Sequence, residues 1–137
     1  MAEKQIKTDF SDWLVVSDID GTLNNKLRRL PKRNYDAINE FVVEKKGRFT
    51  LASGRNVSSI RKPYESLPMI AGTPAVILNG AGIYEVMNDK ILDFTPINPM
   101  GYELVKAAMK KFPMLEAYIL TSREGYAVNS HIFAEAM

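Results

Sequence analysis

Two aspartates separated by one residue follow a short apolar run and precede a Gly-Thr pair. The run is Trp13-Leu14-Val15-Val16, and the segment after Ser17 reads Asp18-Ile19-Asp20-Gly21-Thr22-Leu23. Like charges this close repel each other, and desolvation at the end of a buried strand raises the cost. Proteins tolerate such a pair when a cation and an anionic substrate lie between the carboxylates. The segment therefore predicts Mg²⁺-dependent phosphoryl transfer through a phosphorylated aspartate.

The two carboxylates would have different roles. Asp18 is the candidate nucleophile, because a carboxylate can attack phosphorus and form an acyl-phosphate that water then hydrolyses. Asp20 is placed to protonate the leaving oxygen and later to activate water. Both are candidate Mg²⁺ ligands, and the usual Mg²⁺ site suits the Asp18 carboxylate with a backbone carbonyl near Asp20. Gly21 and Thr22 are candidate phosphate ligands in the turn that follows. The alternative is a strand-end Asx turn without chemistry.

Apolar strands and amphipathic helices alternate over the first eighty residues. Residues 13–17, 49–52 and 75–78 read as short buried strands, and Trp13 is expected to fill the core. Helices are predicted after Pro31 and after Asn56, which would be an N-cap. Lys45-Lys46-Gly47 is predicted to end the first helix, with cations in its last turn and then a glycine able to adopt the left-handed conformation. This alternation predicts an α/β fold with a parallel sheet.

Each predicted strand ends in polar residues at the sheet edge where ligands bind in open α/β folds. These residues are Asp18 and Asp20, then Ser53-Gly54-Arg55, then Asn79-Gly80. The Ser53 hydroxyl and the free N–H groups of a helix N-terminus would make an anion cradle, or else an ordinary turn. Arg55 would clamp a second anionic group or form a structural ion pair. The Asn79 amide would reach the substrate or Asp18, or simply belong to a turn.

The pattern changes after Asn79. Residues 83–86 and 90–94 read as a hairpin, and prolines at 96 and 99 mark a boundary. Beyond it, an apolar stripe over 104–109 predicts a helix, and residues 115–121 and 126–132 predict a second hairpin. We therefore expect two units, 1–97 and an αββ unit at 98–137.

A basic cluster precedes and enters the first predicted helix. Its members are Lys26, Arg28, Arg29, Lys32 and Arg33. A solvated loop and first helical turn is the favoured interpretation, and contact with phosphate or nucleic acid is the alternative. The cluster lies near a helix N-terminus, where cations are unfavourable, and this adds weight to a ligand. His131, the one histidine, has no metal-type ligand at a suitable spacing, so we interpret it as structural.

Composition excludes several classes of protein. The 137 residues are 46% hydrophobic and 25% charged, which is typical of one globular domain or slightly more. No cysteine is present, which excludes disulfides, thiolate zinc sites and cysteine nucleophiles and is compatible with a reducing cytoplasm. The net charge of +2 gives no reason to expect a nucleic-acid partner. No apolar run approaches the ~20 residues of a membrane span. We expect a cytoplasmic protein without a membrane partner.

Three segments together resemble the haloacid dehalogenase-like phosphatases, and among them the Cof-like group with its large α/β cap. The segments are Asp18 to Leu23, Leu51 to Arg55, and Ile77 to Tyr84. The resemblance implies a Rossmann-like parallel-sheet core, here partial, followed by the beginning of an α+β cap. It also implies Asp18 as nucleophile, Asp20 as acid and base, Ser53 as phosphate ligand and Mg²⁺ as cofactor. Family substrates are mostly sugar phosphates and other small phosphorylated metabolites. A phosphotransferase or phosphomutase using the same aspartate, and a non-catalytic binding or assembly module, are the alternatives.

The family has two later motifs, one with a lysine and one with acidic metal ligands, Gly-Asp-Gly-x-x-Asn-Asp-like. Neither occurs in the 137 residues, so we expect this chain to correspond to the N-terminal portion of such an enzyme. In the family the strand before the first motif is central in the sheet. Without the later strands, residues 13–17 would form an open apolar edge. We expect self-association or a complementing chain at that edge.

Overall fold

The computed structural model describes residues 9–112 and 114–128, and its elements follow the predicted order. They are β1 (Leu14–Ser17), α1 (Lys32–Asn39), β2 (Arg48–Leu51), α2 (Val57–Glu65), β3 (Ala75–Ile77), β4 (Gly82–Glu85), β5 (Lys90–Phe94), α3 (Pro99–Lys111), β6 (Ala117–Leu120) and β7 (Gly125–Val128). A π-helical turn at Glu40–Glu44 extends α1, and 3₁₀ turns cover Pro68–Ile70 and Leu78–Gly80. The predictions for His131 and for the end of the last strand lie outside the described residues.

The first three strands run parallel. β1 pairs with β2, with Leu14 opposite Arg48 and Ser17 opposite Leu51. A parallel bridge between Ala52 and Val76 connects the end of β2 to β3. β4 and β5 then continue from β3 as an antiparallel sheet, and β6 and β7 form a separate hairpin. The predicted α/β fold is therefore confirmed, with the carboxyl ends of β1, β2 and β3 at one edge.

The hydrophobic core lies between the β2–β3–β4 strands and α2. Leu51, Ile60, Ile77 and Tyr84 are completely buried and come from β2, α2, β3 and β4 in turn. Burying an aliphatic side chain of this size contributes about 1.5–3 kcal/mol. This core fixes β2 and α2 relative to each other, and the loop between them carries Ser53 and Arg55.

The first helix ends where predicted, but the glycine has another role. Lys46 adopts the left-handed conformation, with φ of 60°, and Gly47 does not. A Cβ atom at Gly47 would overlap the ring of Phe41, which packs directly on its Cα. Gly47 is therefore required for close packing after the helix, and the prediction of a left-handed glycine was wrong.

β1 is a strand, as predicted, but it is not buried. Trp13, Leu14, Val15 and Val16 are 52%, 50%, 38% and 49% exposed. Within the described part of the chain β1 pairs with β2 alone, so its other edge is open and neither face is fully covered. The prediction of a buried strand with Trp13 in the core was wrong, because no second strand within residues 9–112 and 114–128 covers it. The open apolar edge expected from the family resemblance is present.

The αββ unit is also present. The side chain of Asn98 caps α3 by accepting a hydrogen bond of 2.9 Å from the N–H of Met100, and Pro99 occupies the first helical position. The division of the chain at residue 97 stays a prediction. In the described residues, no helix combines the length and apolarity that a membrane crossing requires.

The open edge of β1 makes concentration-dependent self-association the expected behaviour of the isolated chain. Val16→Lys places a charge on this edge strand, and natural proteins use edge lysines to block strand pairing. We expect the substitution to reduce the associated fraction in sedimentation velocity. Val43→Lys is the matched control, because Val43 is 60% exposed in the turn after α1. A wild-type chain that stays monomeric at high concentration would contradict this expectation.

Candidate active site

The loop after β1 presents Asp18 and Asp20 to solvent and turns the residue between them inward. Ile19 is completely buried, whereas both aspartates are exposed. Backbone hydrogen bonds close the loop, from Leu23 N to Asp18 O at 3.3 Å and from Asn24 N to Ile19 O at 2.9 Å. Gly21 has φ of 89°, a left-handed conformation that favours glycine. The turn therefore depends on Gly21, as predicted, and Ile19 anchors it in the core.

Arg55 makes the environments of the two aspartates different. Its Nε donates to Asp20 Oδ2 and its Nη2 to Asp20 Oδ1, both at 3.0 Å, and its Nη1 donates to Ser59 O at 3.1 Å. Of the two roles considered for Arg55, the structure shows the ion pair. The Asp18 carboxylate makes no hydrogen bond or ion pair with any residue that the structure describes. Asp20 is thus held in place, and Asp18 is available to a ligand.

Ser53 and Gly54 lie at the end of β2 with donor groups available. Ser53 is 8% exposed, its N–H donates to Val76 O and its carbonyl accepts from Asn79 N, both at 3.0 Å. Its hydroxyl oxygen accepts a long hydrogen bond, 3.4 Å, from the Arg55 N–H. The Gly54 N–H donates to no other described residue. A hydroxyl and an N–H next to each other are suitable donors for a phosphoryl oxygen.

The N-terminus of α2 is only partly available to bind an anion, because some of its N–H groups already have partners. Asn56 is the N-cap, as predicted, and its Oδ1 accepts a hydrogen bond of 3.1 Å from Ser59 N. The N–H of Val57 donates to Ser122 O, at 2.9 Å, in the turn of the β6–β7 hairpin. The prediction of free N–H groups at this helix end was therefore wrong for Val57, because a distant segment folds back onto it.

A cleft of about 380 Å³ joins the predicted catalytic residues. Its lining includes Asp18, Asp20, Ser53, Gly54 and Arg55, and also four residues that the sequence analysis missed as site residues: Asn56, Ser59, Tyr118 and Leu120. Tyr118 and Leu120 lie two residues apart on β6, so they point to the same side of the hairpin. That alternation was the one signal for them, and it does not reveal what the strand faces.

Three predicted phosphate or substrate ligands do not line this cleft. Gly21 and Thr22 are exposed in the loop after β1. Asn79 has a left-handed backbone, with φ of 56°. Its side chain lies over Gly54, where an added Cβ would be 3.0 Å from Asn79 Oδ1. The Asn79 amide therefore packs against the Ser53–Arg55 turn, and its predicted contact with Asp18 is not formed.

The turn of the β6–β7 hairpin is tied to the core beside the cleft. Ser58 Oγ donates to Arg123 O at 2.6 Å, and Arg123 Nη1 donates to Asp89 Oδ1 at 3.1 Å. The hydroxyl of Tyr84 also donates to Asp89 Oδ1, at 2.7 Å. The hydrogen bonds from Tyr84 and Arg123 lower the pKa of Asp89, and burial is the main cause of the raised pKa of Tyr84. We call Asp89, Tyr84, Arg123 and Ser58 the hairpin anchor.

The two aspartates are the described residues best suited to hold Mg²⁺. Asp18 and Asp20 supply the oxygen donors that Mg²⁺ prefers. Arg55, however, engages both carboxylate oxygens of Asp20. The described part of the chain contains no group of three or more Asp, Glu, His or Cys that could hold a metal ion. The donors fit Mg²⁺ through the Asp18 carboxylate and loop carbonyls, and the Asp20 side chain, held by Arg55, is the less available donor.

The stabilisation that the hairpin anchor provides should be lost as the pH falls into the acid range. Because the pKa of Asp89 is lowered below its ordinary 3.8, its contribution is present above that pH and is lost as the pH falls through the lowered value. We expect amide exchange protection of β6 and β7 to be independent of pH between ~5 and ~8, after correction for intrinsic rates, and to fall in acid. At neutral pH Asp89→Asn should accelerate exchange, whereas Asp93→Asn, on β5, should not, and in acid the difference between Asp89→Asn and wild type should disappear. Equal exchange in Asp89→Asn and wild type at neutral pH would refute the anchor.

A sequence model of the haloacid dehalogenase-like hydrolases matches residues 15–136. No curated protein sequence matches this chain significantly. A haloacid dehalogenase-like hydrolase from Bacteroides thetaiotaomicron superposes with a TM-score of 0.68 and 21% identity, over 84% of this chain and 43% of that one. A sugar phosphatase of HAD subclass IIB superposes with a TM-score of 0.70 and 16% identity, again over 84% and 43%.

A protein from Plasmodium vivax that is assigned to the HAD/COF-like hydrolases gives a TM-score of 0.65 and 25% identity, over 87% of this chain and 43% of that one. The chain therefore spans less than half the length of these solved structures. The sequence match covers most of the chain, and the superpositions show the same fold. The chain belongs to the haloacid dehalogenase-like hydrolases.

Proposed function

We propose that this chain carries the nucleophile and phosphate-binding part of a Mg²⁺-dependent phosphatase acting on small phosphorylated metabolites such as sugar phosphates. One observation carries the proposal: the exposed Asp18 carboxylate, unpartnered among the described residues, lines the same cleft as the Ser53 hydroxyl and the Gly54 N–H. Membership of the hydrolase family supports the reaction class. The superposition on a sugar phosphatase supports the substrate class.

In the first step, an oxygen of Asp18 attacks phosphorus while the bond to the leaving oxygen breaks. The product is an acyl-phosphate on Asp18 and a free alcohol. The Ser53 hydroxyl and the Gly54 N–H donate hydrogen bonds to the phosphoryl oxygens and hold the group in line with Asp18. These donors are fixed because the Ser53 backbone is bonded on both sides, to Val76 and to Asn79.

Asp20 transfers protons in both steps. It donates a proton to the leaving oxygen and then takes one from the water that hydrolyses the acyl-phosphate. Arg55 donates one hydrogen bond to each oxygen of Asp20, so a proton carried by the carboxyl group would occupy a lone pair that Arg55 does not use. Arg55 is thus a positioning residue that keeps Asp20 beside Asp18 between turnovers.

Mg²⁺ would be held by the Asp18 carboxylate and a backbone carbonyl of the loop. When bound, it supplies positive charge that offsets the phosphate and the two carboxylates. Residues 1–97 would form the core part and residues 98–137 the start of the cap. Tyr118 and Leu120 would cover the cleft and reduce the access of water.

A second candidate uses the same groups without net hydrolysis. The subclass IIB neighbour is described as belonging to a phosphotransferase superfamily as well as being a sugar phosphatase. If a hydroxyl rather than water attacks the acyl-phosphate, the chain belongs to a phosphotransferase or phosphomutase. Product analysis separates the two, since hydrolysis releases free phosphate and transfer gives a phosphorylated acceptor.

A third candidate is a non-catalytic binding or assembly module. It is favoured by the absence of a third carboxylate near Asp18 and Asp20 in the described residues. This candidate predicts that the chain binds a phosphate analogue in the presence of Mg²⁺ without any turnover.

The proposal is tested by the Mg²⁺-dependent hydrolysis of an aryl phosphate. Asp18→Asn should abolish turnover, because an amide cannot replace the carboxylate as nucleophile. Asp20→Asn should lower the rate by about 10²–10⁴-fold, the usual contribution of a general acid or base. Asp36→Asn is the matched control, since Asp36 is exposed and pairs only with Lys32 among described residues. Wild-type turnover in Asp18→Asn would reject the assignment of the nucleophile.

A further inference from the structure

A second cleft lies on the other side of Arg55, between the loop after β1 and one face of α2. Its volume is about 470 Å³, and Arg55 and Ser59 line both this cleft and the one that contains Asp18. The two clefts are therefore neighbours that share a wall. The apolar floor of the second cleft is formed by Ile19, Leu23, Leu30 and Pro63. We call it the cation cleft, because Arg28 and Lys62 line it together with Arg55.

Among the residues that the structure describes, three cations and no carboxylate line the cation cleft: Arg28, Arg55 and Lys62. Arg55 is neutralised by Asp20, but Arg28 and Lys62 have no ion pair with any described residue. Other cations of the fold have nearby carboxylates, as Lys32 has Asp36 and Arg61 has Glu65. Cations that share a cleft without a carboxylate repel each other, and an anionic ligand would remove that repulsion.

The backbone at Arg28 is held in an uncommon conformation. Its φ is 57°, in the left-handed region that few residues other than glycine adopt. Asn25 stabilises this turn, because its Oδ1 accepts from Leu27 N at 2.9 Å and from Arg29 N at 3.0 Å. The Arg28 N–H also donates to Asn25 O at 2.9 Å. Residues 25–29 therefore form a turn ordered by hydrogen bonds, and this turn places Arg28 at the cleft.

The structure therefore separates the members of the basic cluster found in the sequence. Arg28 lines the cation cleft, and Lys26 lines an adjoining surface with Arg28 and Arg55. Lys32 pairs with Asp36, and Arg29 and Arg33 are exposed without lining either surface. The two interpretations of the cluster therefore apply to different residues. Arg29 and Arg33 belong to a solvated surface, whereas Arg28 lies where a ligand of an anion would be expected.

Hydroxyl and amide groups complete the lining. Ser58, Ser59 and Ser66 contribute hydroxyls, and Asn24 contributes an amide. An apolar floor, two cations without an ion pair to any described residue and several neutral polar groups suit an organic molecule that carries an anionic group. A molecule with one phosphate at Asp18 and Ser53 could reach past Arg55 and place a second anion in the cation cleft.

Resting on the proposed function, we infer that the substrate carries a second anionic group, a phosphate or a carboxylate, which Arg28 and Lys62 bind in the cation cleft. The scissile phosphate lies at Asp18, and Arg55 stands between the two anions. The substrate class is thereby narrowed to small metabolites with two anionic groups, such as bisphosphorylated sugars or phosphorylated sugar acids.

The test measures binding to the full chain by calorimetry, with Asp18→Asn in all samples to prevent turnover. The probes are a hexose monophosphate, the matching hexose bisphosphate and the matching phosphorylated hexonic acid. We expect at least one doubly anionic probe to bind about tenfold more tightly than the monophosphate, with a preference that weakens as salt is added. Whether the bisphosphate or the acid is preferred identifies the second anion.

Two substitutions and a control locate the effect. Arg28→Asn removes the charge with a residue that tolerates the left-handed conformation, and Lys62→Gln keeps a good helix former in α2. Each should reduce the preference about three- to fivefold, and the pair should abolish it. Arg33→Gln removes a charge outside the cleft and should leave the preference unchanged. Equal binding of all three probes, or equal effects of Arg28→Asn and Arg33→Gln, would overturn the inference.

Failure of this inference can be told apart from failure of the proposed function. If the chain with Asp18 intact shows no aryl phosphatase activity but the preference for two anions is found, the cation cleft stands and the proposed function fails. If activity is found and the preference is not, the proposed function stands and the cation cleft is a solvated surface.

Discussion

The candidate site depends on the parallel pairing of β1 with β2. The last hydrogen bond between these strands joins Ala52 N to Ser17 O at 2.9 Å. Asp18 and Ser53 are the next residues along the chain after this bond. Ser53 N then bonds to Val76 O and so ties the turn to β3. Because strand side chains alternate between faces, a slip of one residue would turn Asp18 or Ser53 away from the cleft. Register is therefore the constraint that brings a nucleophile and phosphate donors together.

The charged side chains at this edge of the sheet have different partners. Two exposed carboxylates are separated by the buried Ile19, and Arg55 binds one of them through both oxygens. The other carboxylate has no protein partner among the described residues. On the other side of Arg55 the charge is positive, since Arg28 and Lys62 line a cleft to which the described residues contribute no carboxylate. Arg55 thus divides a negative compartment, suited to a cation and a phosphate, from a positive one suited to a second anion.

Local features were predictable from the sequence, and features that depend on distant segments were not. The strands, the Asn56 cap, the Gly21 turn and the two hairpins followed from apolar periodicity and turn chemistry. The burial of β1 was predicted wrongly. An apolar run indicates that a strand can be buried, but it does not indicate whether another element covers that strand. The bond from Val57 to Ser122, and the placement of Tyr118 over the cleft, join segments over sixty residues apart, so no local pattern indicates them. Arg28 appeared as one of five cations, and only the three-dimensional turn distinguishes it.

The most direct measurement asks which side chain becomes phosphorylated. The chain is mixed with a phosphorylated substrate and Mg²⁺, quenched in acid and reduced with borohydride, which converts an acyl-phosphate on aspartate into the alcohol of homoserine. Peptide mass spectrometry then locates the reduced residue. The account predicts homoserine at position 18 and none in Asp18→Asn. Reduction at any other aspartate, or unmodified Asp18 in a sample that has turned over substrate, would contradict it.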